Sequence, residues 1–167
     1  MKKIFLVAAL VAAAFGQQGF AQTDSTSVFK NAVASYLELK NALTNDNGDS
    51  AVVAAGQLFN ALSEMPIDNL ASQHAAWAKY HEKLSGEAAQ IKDASDIDGQ
   101  REHFKDLSAN MYGLLKALKI NTVDLYYDYC PMAKAYWLSE KGNIVNPYLG
   151  QSMPTCGSVK DTLNTNK

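Results

Sequence analysis

The chain has 167 residues and a mass of 18.2 kDa, enough for one globular domain and little more. With 47% hydrophobic, 10% aromatic and 19% charged residues, it is neither a disordered nor a low-complexity chain. A formal net charge of −2 and a pI near 5.9 lack the basic footprint of a phosphate-binding protein, so no nucleic-acid partner is expected.

Lys2 and Lys3 precede an apolar run from Ile4 to Phe15, followed by Gly19-Phe20-Ala21 and Gln22. This pattern predicts a secretory signal peptide over residues 1–21, because the apolar stretch is too short to span a bilayer and ends in small residues suited to cleavage. Cleavage after Ala21 leaves a single domain over 22–167, with 13 basic and 17 acidic residues, hence a charge of −4. A soluble periplasmic protein is expected, with no stable membrane insertion after cleavage. No cysteine follows the apolar run to carry a lipid anchor, and an uncleaved anchor is the rival expectation.

Four helices follow. The first begins after Asp24-Ser25-Thr26-Ser27, carries Phe29, Val33, Tyr36, Leu37, Lys40 and Leu43 at helical spacing, and stops at Asn45-Asp46-Asn47-Gly48. Asp49 or Ser50 is expected to cap the second, whose stripe is Val52, Ala55, Gly56, Phe59 and Leu62 and whose end is Met65-Pro66. The third places Leu70, His74, Trp77, His81, Leu84, Ala88 and Ile91 at steps of four and three, which puts both histidines on its inner face. After a cap at Ser95-Asp96, the fourth carries Ile97, Phe104, Leu107, Met111, Leu114 and Leu118. The fold class is therefore mainly α, an antiparallel four-helix bundle.

From about residue 122 the pattern changes. Thr122 to Tyr129 is rich in strand formers and Tyr136-Trp137-Leu138 follows a short break, which predicts a small β-hairpin or irregular lid packed on the bundle. Gly142, Asn146-Pro147, Gly150 and Pro154 mark turns, and the last ten residues are polar enough to fray.

Both cysteines lie in this tail beside methionines, as Cys130-Pro131-Met132 and Met153-Pro154-Thr155-Cys156. Thiolate and thioether are soft donors that select monovalent copper, and these short spacings let each pair present its sulfurs on one side. From the spacing alone the default reading is a structural disulfide, usual for two cysteines in an exported protein. It would close a loop of 27 residues and stabilise by about 3.5 kcal/mol in the chain-entropy model. His74 and His81 are seven residues apart, two turns along one face, so each is equally a hydrogen-bonded inward histidine; zinc ranks below copper because the cysteines do not form close pairs.

No glycine-rich phosphate loop, Gly-x-Ser-x-Gly elbow or His-Glu-x-x-His helix is present, so no enzymatic activity is expected. A Cys nucleophile with a His base stays a third reading. Asp96-Ile97-Asp98-Gly99 echoes a calcium loop, but Ala94 and Lys105 stand where the first and closing ligands belong, and it reads as a helix start.

Tyr129-Cys130-Pro131-Met132-Ala133, Ala135-Tyr136-Trp137-Leu138-Ser139, Ile144, Asn146-Pro147-Tyr148, Gly150, Met153 and Cys156-Gly157 follow in one order. With Tyr36-Leu37, Lys40 to Leu43, His74-x-x-Trp77, Gln100-Arg101 and Phe104 upstream, the chain resembles domain-of-unknown-function family 3347 over nearly all of its expected mature length. The segment between Met132 and Tyr136 is short for that family, which implies a tight turn. The resemblance implies an exported helical protein linked to periplasmic adaptors of heavy-metal efflux pumps. Joined to the sulfur spacing, it raises the copper reading above the disulfide alone. The expected ligands are Cys130, Cys156, Met132 and Met153, with His74 or His81 as nearby alternatives, in a copper chaperone or buffer whose partners are the metal ion and an efflux adaptor. The rival is a metal-free interaction domain, in which a Cys130–Cys156 disulfide secures the aromatic lid and an Asn146-Pro147-Tyr148 surface meets a partner.

Overall fold

The computed structural model describes residues 25–64 and 74–165. The expected signal peptide, the Met65-Pro66 stop and Leu70 lie outside the described residues.

Helix α1 (Ser25–Thr44) and helix α2 (Gly48–Ser63) form a hairpin whose turn holds Asp46 in the left-handed region at φ 54°. Asn47, rather than Asp49 or Ser50, caps α2: its side-chain oxygen accepts the Ser50 N–H at 2.9 Å, so the helix opens before the residues expected to cap it. Helix α3 (His74–Asp93) is followed by helix α4 (Ile97–Leu118), which Asp96 caps by accepting the Gly99 N–H at 2.8 Å. Each helix packs on the next, and Tyr36, Leu39, Leu58, Leu84, Ile91, Phe104 and Leu107 are fully buried among them.

The α3 stripe is inward from Trp77 through Leu84 and Ala88 to Ile91, but His74 is exposed and His81 only half-buried. At about 100° per residue the buried stripe centres on Trp77, Leu84 and Ile91, and His81 and His74 lie progressively further round on its flank, toward solvent.

Strand β1 (Leu125–Cys130) and strand β2 (Ala135–Ser139) form the expected hairpin, with Cys130 opposite Ala135 and Tyr129 opposite Tyr136. The chain end differs from expectation. Strand β3 (Ser158–Leu163) pairs antiparallel with β1 on its other side, giving the order β2-β1-β3. An edge strand is held by its backbone and by a few anchors, so polar composition did not prevent it. The anchors are buried Leu163, whose carbonyl accepts the Asn121 amide at 3.0 Å, and Asp161, which accepts from Lys116 at 2.9 Å and from the Tyr112 hydroxyl.

The sheet docks on α1 and α4 through buried polar contacts. The Tyr36 hydroxyl accepts the Leu138 N–H at 3.0 Å and shares a hydrogen bond with Ser108 at 2.8 Å, while its ring stacks on Phe104. Burial pushes the Tyr36 hydroxyl well above its ordinary pKa, so it stays neutral. Beside it, buried Lys40 donates to Glu140 at 2.9 Å. Tyr36→Phe keeps the ring stack but strands a buried N–H and a buried hydroxyl, and is expected to lower unfolding free energy by about 1–3 kcal/mol in urea titrations.

Candidate functional site

The sulfur-bearing region is built by two loops that close on the end of β1. Cys130 is the last residue of β1, and the tight turn of residues 131–134, with Lys134 at φ 51°, returns the chain into β2. Cys156 sits two residues before β3, at the end of a loop that starts near Asn146. The two Sγ atoms are 3.0 Å apart and both cysteines are free thiols. Cys130 is fully buried, whereas Cys156 is half-buried. Met132 and Met153 stand outside the pair, 61% and 43% exposed.

Buried Asn146 organises the second loop. Its Oδ1 accepts the N–H groups of Tyr148 at 2.8 Å and Leu149 at 3.0 Å, and its Nδ2 donates to the Cys156 carbonyl at 2.7 Å. Its own N–H donates to the Pro154 carbonyl at 2.8 Å, closing the loop across its neck. Arg101, at the start of α4, pins this loop to the bundle by donating to the carbonyls of Pro147 at 2.9 Å and Leu43 at 3.0 Å and to the Asp46 carboxylate. Gly150, at φ 52°, passes so close that a Cβ there would lie 1.9 Å from Asp46 Oδ1, so only glycine fits. Gly157 likewise lets the chain beside Cys156 lie against the Trp137 ring, 2.8 Å from where a Cβ would stand.

The two thiols are not equivalent. Burial acts to raise the Cys130 pKa, but hydrogen bonds from the Cys156 thiol, the Ala133 and Met132 N–H groups and the Asn146 side chain outweigh it and hold Cys130 below an ordinary thiol. The Ala133 N–H lies 3.4 Å from its sulfur. The hydrogen bond shared with Cys130, together with partial desolvation, raises Cys156. Of the two, Cys130 is thus the more readily ionised.

Two positions before Cys130 on the same strand, Asp128 is completely buried. Desolvation pushes its pKa up to about 6 against the Ser139 hydroxyl, which donates to it at 2.8 Å, and the charge of Lys40. Its second oxygen has no hydrogen-bond partner.

The histidines lie elsewhere. Trp77, one turn after His74, meets Phe29 near the start of α1, whereas the 146–157 loop is pinned by Arg101 to the end of α1 and the start of α4. His81 stacks on Trp77 with ring centres 4.6 Å apart and lies 3.4 Å from the Ser85 hydroxyl. The structure thus brings Cys130 and Cys156 together and leaves His81 packed on Trp77 and His74 exposed one turn before it. Among the described residues, no group of three or more His, Cys, Asp or Glu side chains is placed to hold a metal ion. An ion here would rest on two thiolates and the thioethers.

The Asn146-Pro147-Tyr148 surface is corrected outright. All three residues are buried, Tyr148 packing on Phe104 and Trp137, because the loop faces inward to satisfy its own backbone. The sequence reading missed the anchoring roles of Arg101 and Asn146. An arginine five residues into a helix, close to the end where acidic residues are favoured, was the available signal for the first.

Fold and site together define a four-helix bundle that carries a dithiol on an appended three-stranded sheet. The family model described as "Protein of unknown function (DUF3347)" matches residues 32–122, and the chain belongs to that family. The match runs from within α1 to just past α4 and ends before β1, so both cysteines lie beyond it. A comparison with curated proteins and one with solved structures found no match.

Asn146→Ala removes the partners of two N–H groups and one carbonyl, and is expected to destabilise the fold by about 2–4 kcal/mol in urea and to expose Cys130 to thiol reagents. For Asp128, a folded pKa raised from 3.8 to about 6 means that its stabilising contribution is present below pH 3.8 and lost as pH rises through 6. The difference in unfolding free energy between the parent and Asp128→Asn should therefore fall from pH 4 to pH 7, measured by denaturation at both.

Proposed function

We propose that this chain is a soft-metal binding protein of the periplasm, a chaperone or buffer for monovalent copper in the service of heavy-metal efflux. The observation that carries this reading is the 3.0 Å separation of the Cys130 and Cys156 sulfurs. Two thiolates about 2.3 Å from a tetrahedral ion stand about 3.8 Å apart, so the pair needs to open by less than 1 Å to share a metal. Three further features support the reading. A thiol held below its ordinary pKa is already prepared as a ligand. Soft sulfur donors favour monovalent copper over hard ions. Exposed Met132 and Met153 offer thioethers at the entrance, from which an ion can be exchanged one ligand at a time toward an adaptor protein.

Binding and transfer require no turnover, and we assign no enzymatic role. The export signal read in residues 1–21 supports the compartment. The metal-free reading keeps one supporting observation, since the same sulfurs need approach by only about 1 Å to form a disulfide. Its partner surface would have to lie elsewhere than Asn146-Pro147-Tyr148.

Anaerobic titration of the reduced protein with monovalent copper against a chromophoric chelator tests the proposal. One equivalent should bind tightly to the parent and be lost in Cys130→Ser/Cys156→Ser, while Met132→Leu/Met153→Leu weakens binding without abolishing it. A parent that fails to compete with the chelator overturns the metal reading.

A further inference from the structure

The asymmetry of the two cysteines carries a second chemistry on the same atoms. We infer that Cys156 is a thiol–disulfide exchange site for small-molecule disulfides, with Cys130 as the buried partner that resolves the mixed disulfide and so shuts the metal-binding pair. The inference uses the sulfurs of the proposed metal site but does not require that metal binds there.

Access selects the first thiol. A disulfide reagent must approach in line with the attacking sulfur, and Cys130 is fully buried beneath the 131–134 turn and Cys156, whereas Cys156 is half-exposed. Proximity selects the second, because any adduct on Cys156 places its sulfur within about an ångström of bonding distance to Cys130. The Ala133 N–H, 3.4 Å from the Cys130 sulfur, and the 3.0 Å contact with Cys156 hold Cys130 in place to attack an adduct on its neighbour.

The exchange balances without any group beyond the incoming disulfide RSSR and solvent water. Cys156 Sγ gives its proton to solvent water and attacks one sulfur; the Cys156–SR bond forms, the RS–SR bond breaks, and RS⁻ leaves. Cys130 then gives its proton to RS⁻ and attacks Cys156 Sγ. The Cys130–Cys156 bond forms, and a second RS⁻ departs. The protein dithiol is oxidised by two electrons and RSSR is reduced to two thiols, one protonated and one as thiolate. With both sulfurs in a disulfide, neither is a thiolate ligand, so oxidation and copper loading exclude each other.

Oxidised glutathione is the probe. Reduced parent protein mixed with it should lose two hydrogens by intact-mass spectrometry without accumulating an adduct, while Cys130→Ser should accumulate a single glutathionyl adduct on Cys156, more than about tenfold above the parent. Cys156→Ser should acquire far less adduct, because Cys130 is covered. Circular dichroism melts establish that each variant is folded. Should either be unfolded, acid-quenched parent samples mapped by peptide mass give the same answer: transient glutathione on Cys156 supports the inference, and glutathione on Cys130 overturns it. A parent that remains a dithiol overturns it too. Copper titration of the same reduced sample is read separately, so a dithiol that binds copper but ignores glutathione disulfide sinks only this inference. One that is oxidised yet never binds copper sinks only the metal reading.

Discussion

The sheet stays on the bundle because one hydroxyl is buried where three elements meet. Tyr36 leaves α1, stacks on Phe104 of α4, shares a hydrogen bond with Ser108 and accepts the N–H of Leu138 from β2. A backbone donor so buried must find a partner inside the protein, and no other arrangement of the hairpin would offer it the same one. Lys40, one turn on, adds an ion pair to Glu140 that fixes the same edge. Such pairs add little net stability against an apolar substitute, but breaking one strands a charge, so they act mainly to define a single docking geometry.

From that junction the sulfur pair follows by rigid connection. The hairpin fixes Cys130 at the end of β1, Asn146 fixes the carbonyl of Cys156, and Arg101 fixes the intervening loop to the helices. Residues of the matched family region, including Tyr36, Lys40, Arg101 and Phe104, are thus the seat on which the tail rests rather than a site of their own. A site built in this way is preorganised by its supports.

The same geometry explains why metal and disulfide need not be competing descriptions. At 3.0 Å the sulfurs stand between bonding distance and the span of a shared ion, and the energetic difference between the outcomes rests with the redox state and the available ligand rather than with the fold. Burial of Cys130 beside half-exposed Cys156 gives the pair an inner and an outer member, the asymmetry on which the proposed ligand exchange and the proposed thiol exchange both rest.

The amino-acid sequence by itself determined the helices and the first hairpin, because apolar periodicity, an Asp cap at Asp96 and β-rich alternation are local signals written in neighbouring residues. It also named the cysteines and methionines, since sulfur donors are few enough to count. It did not determine which of them meet. His74 looked inward by its spacing, yet it stands on the flank of the buried stripe and faces solvent; the polar last residues looked loose, yet backbone pairing made them β3. Asn146-Pro147-Tyr148 read as a surface because turn residues usually face water, but three hydrogen bonds from one buried amide folded it inward. Convergence of Cys130 and Cys156 across 26 residues was decided only by tertiary structure, because it depends on contacts between elements that no local pattern encodes.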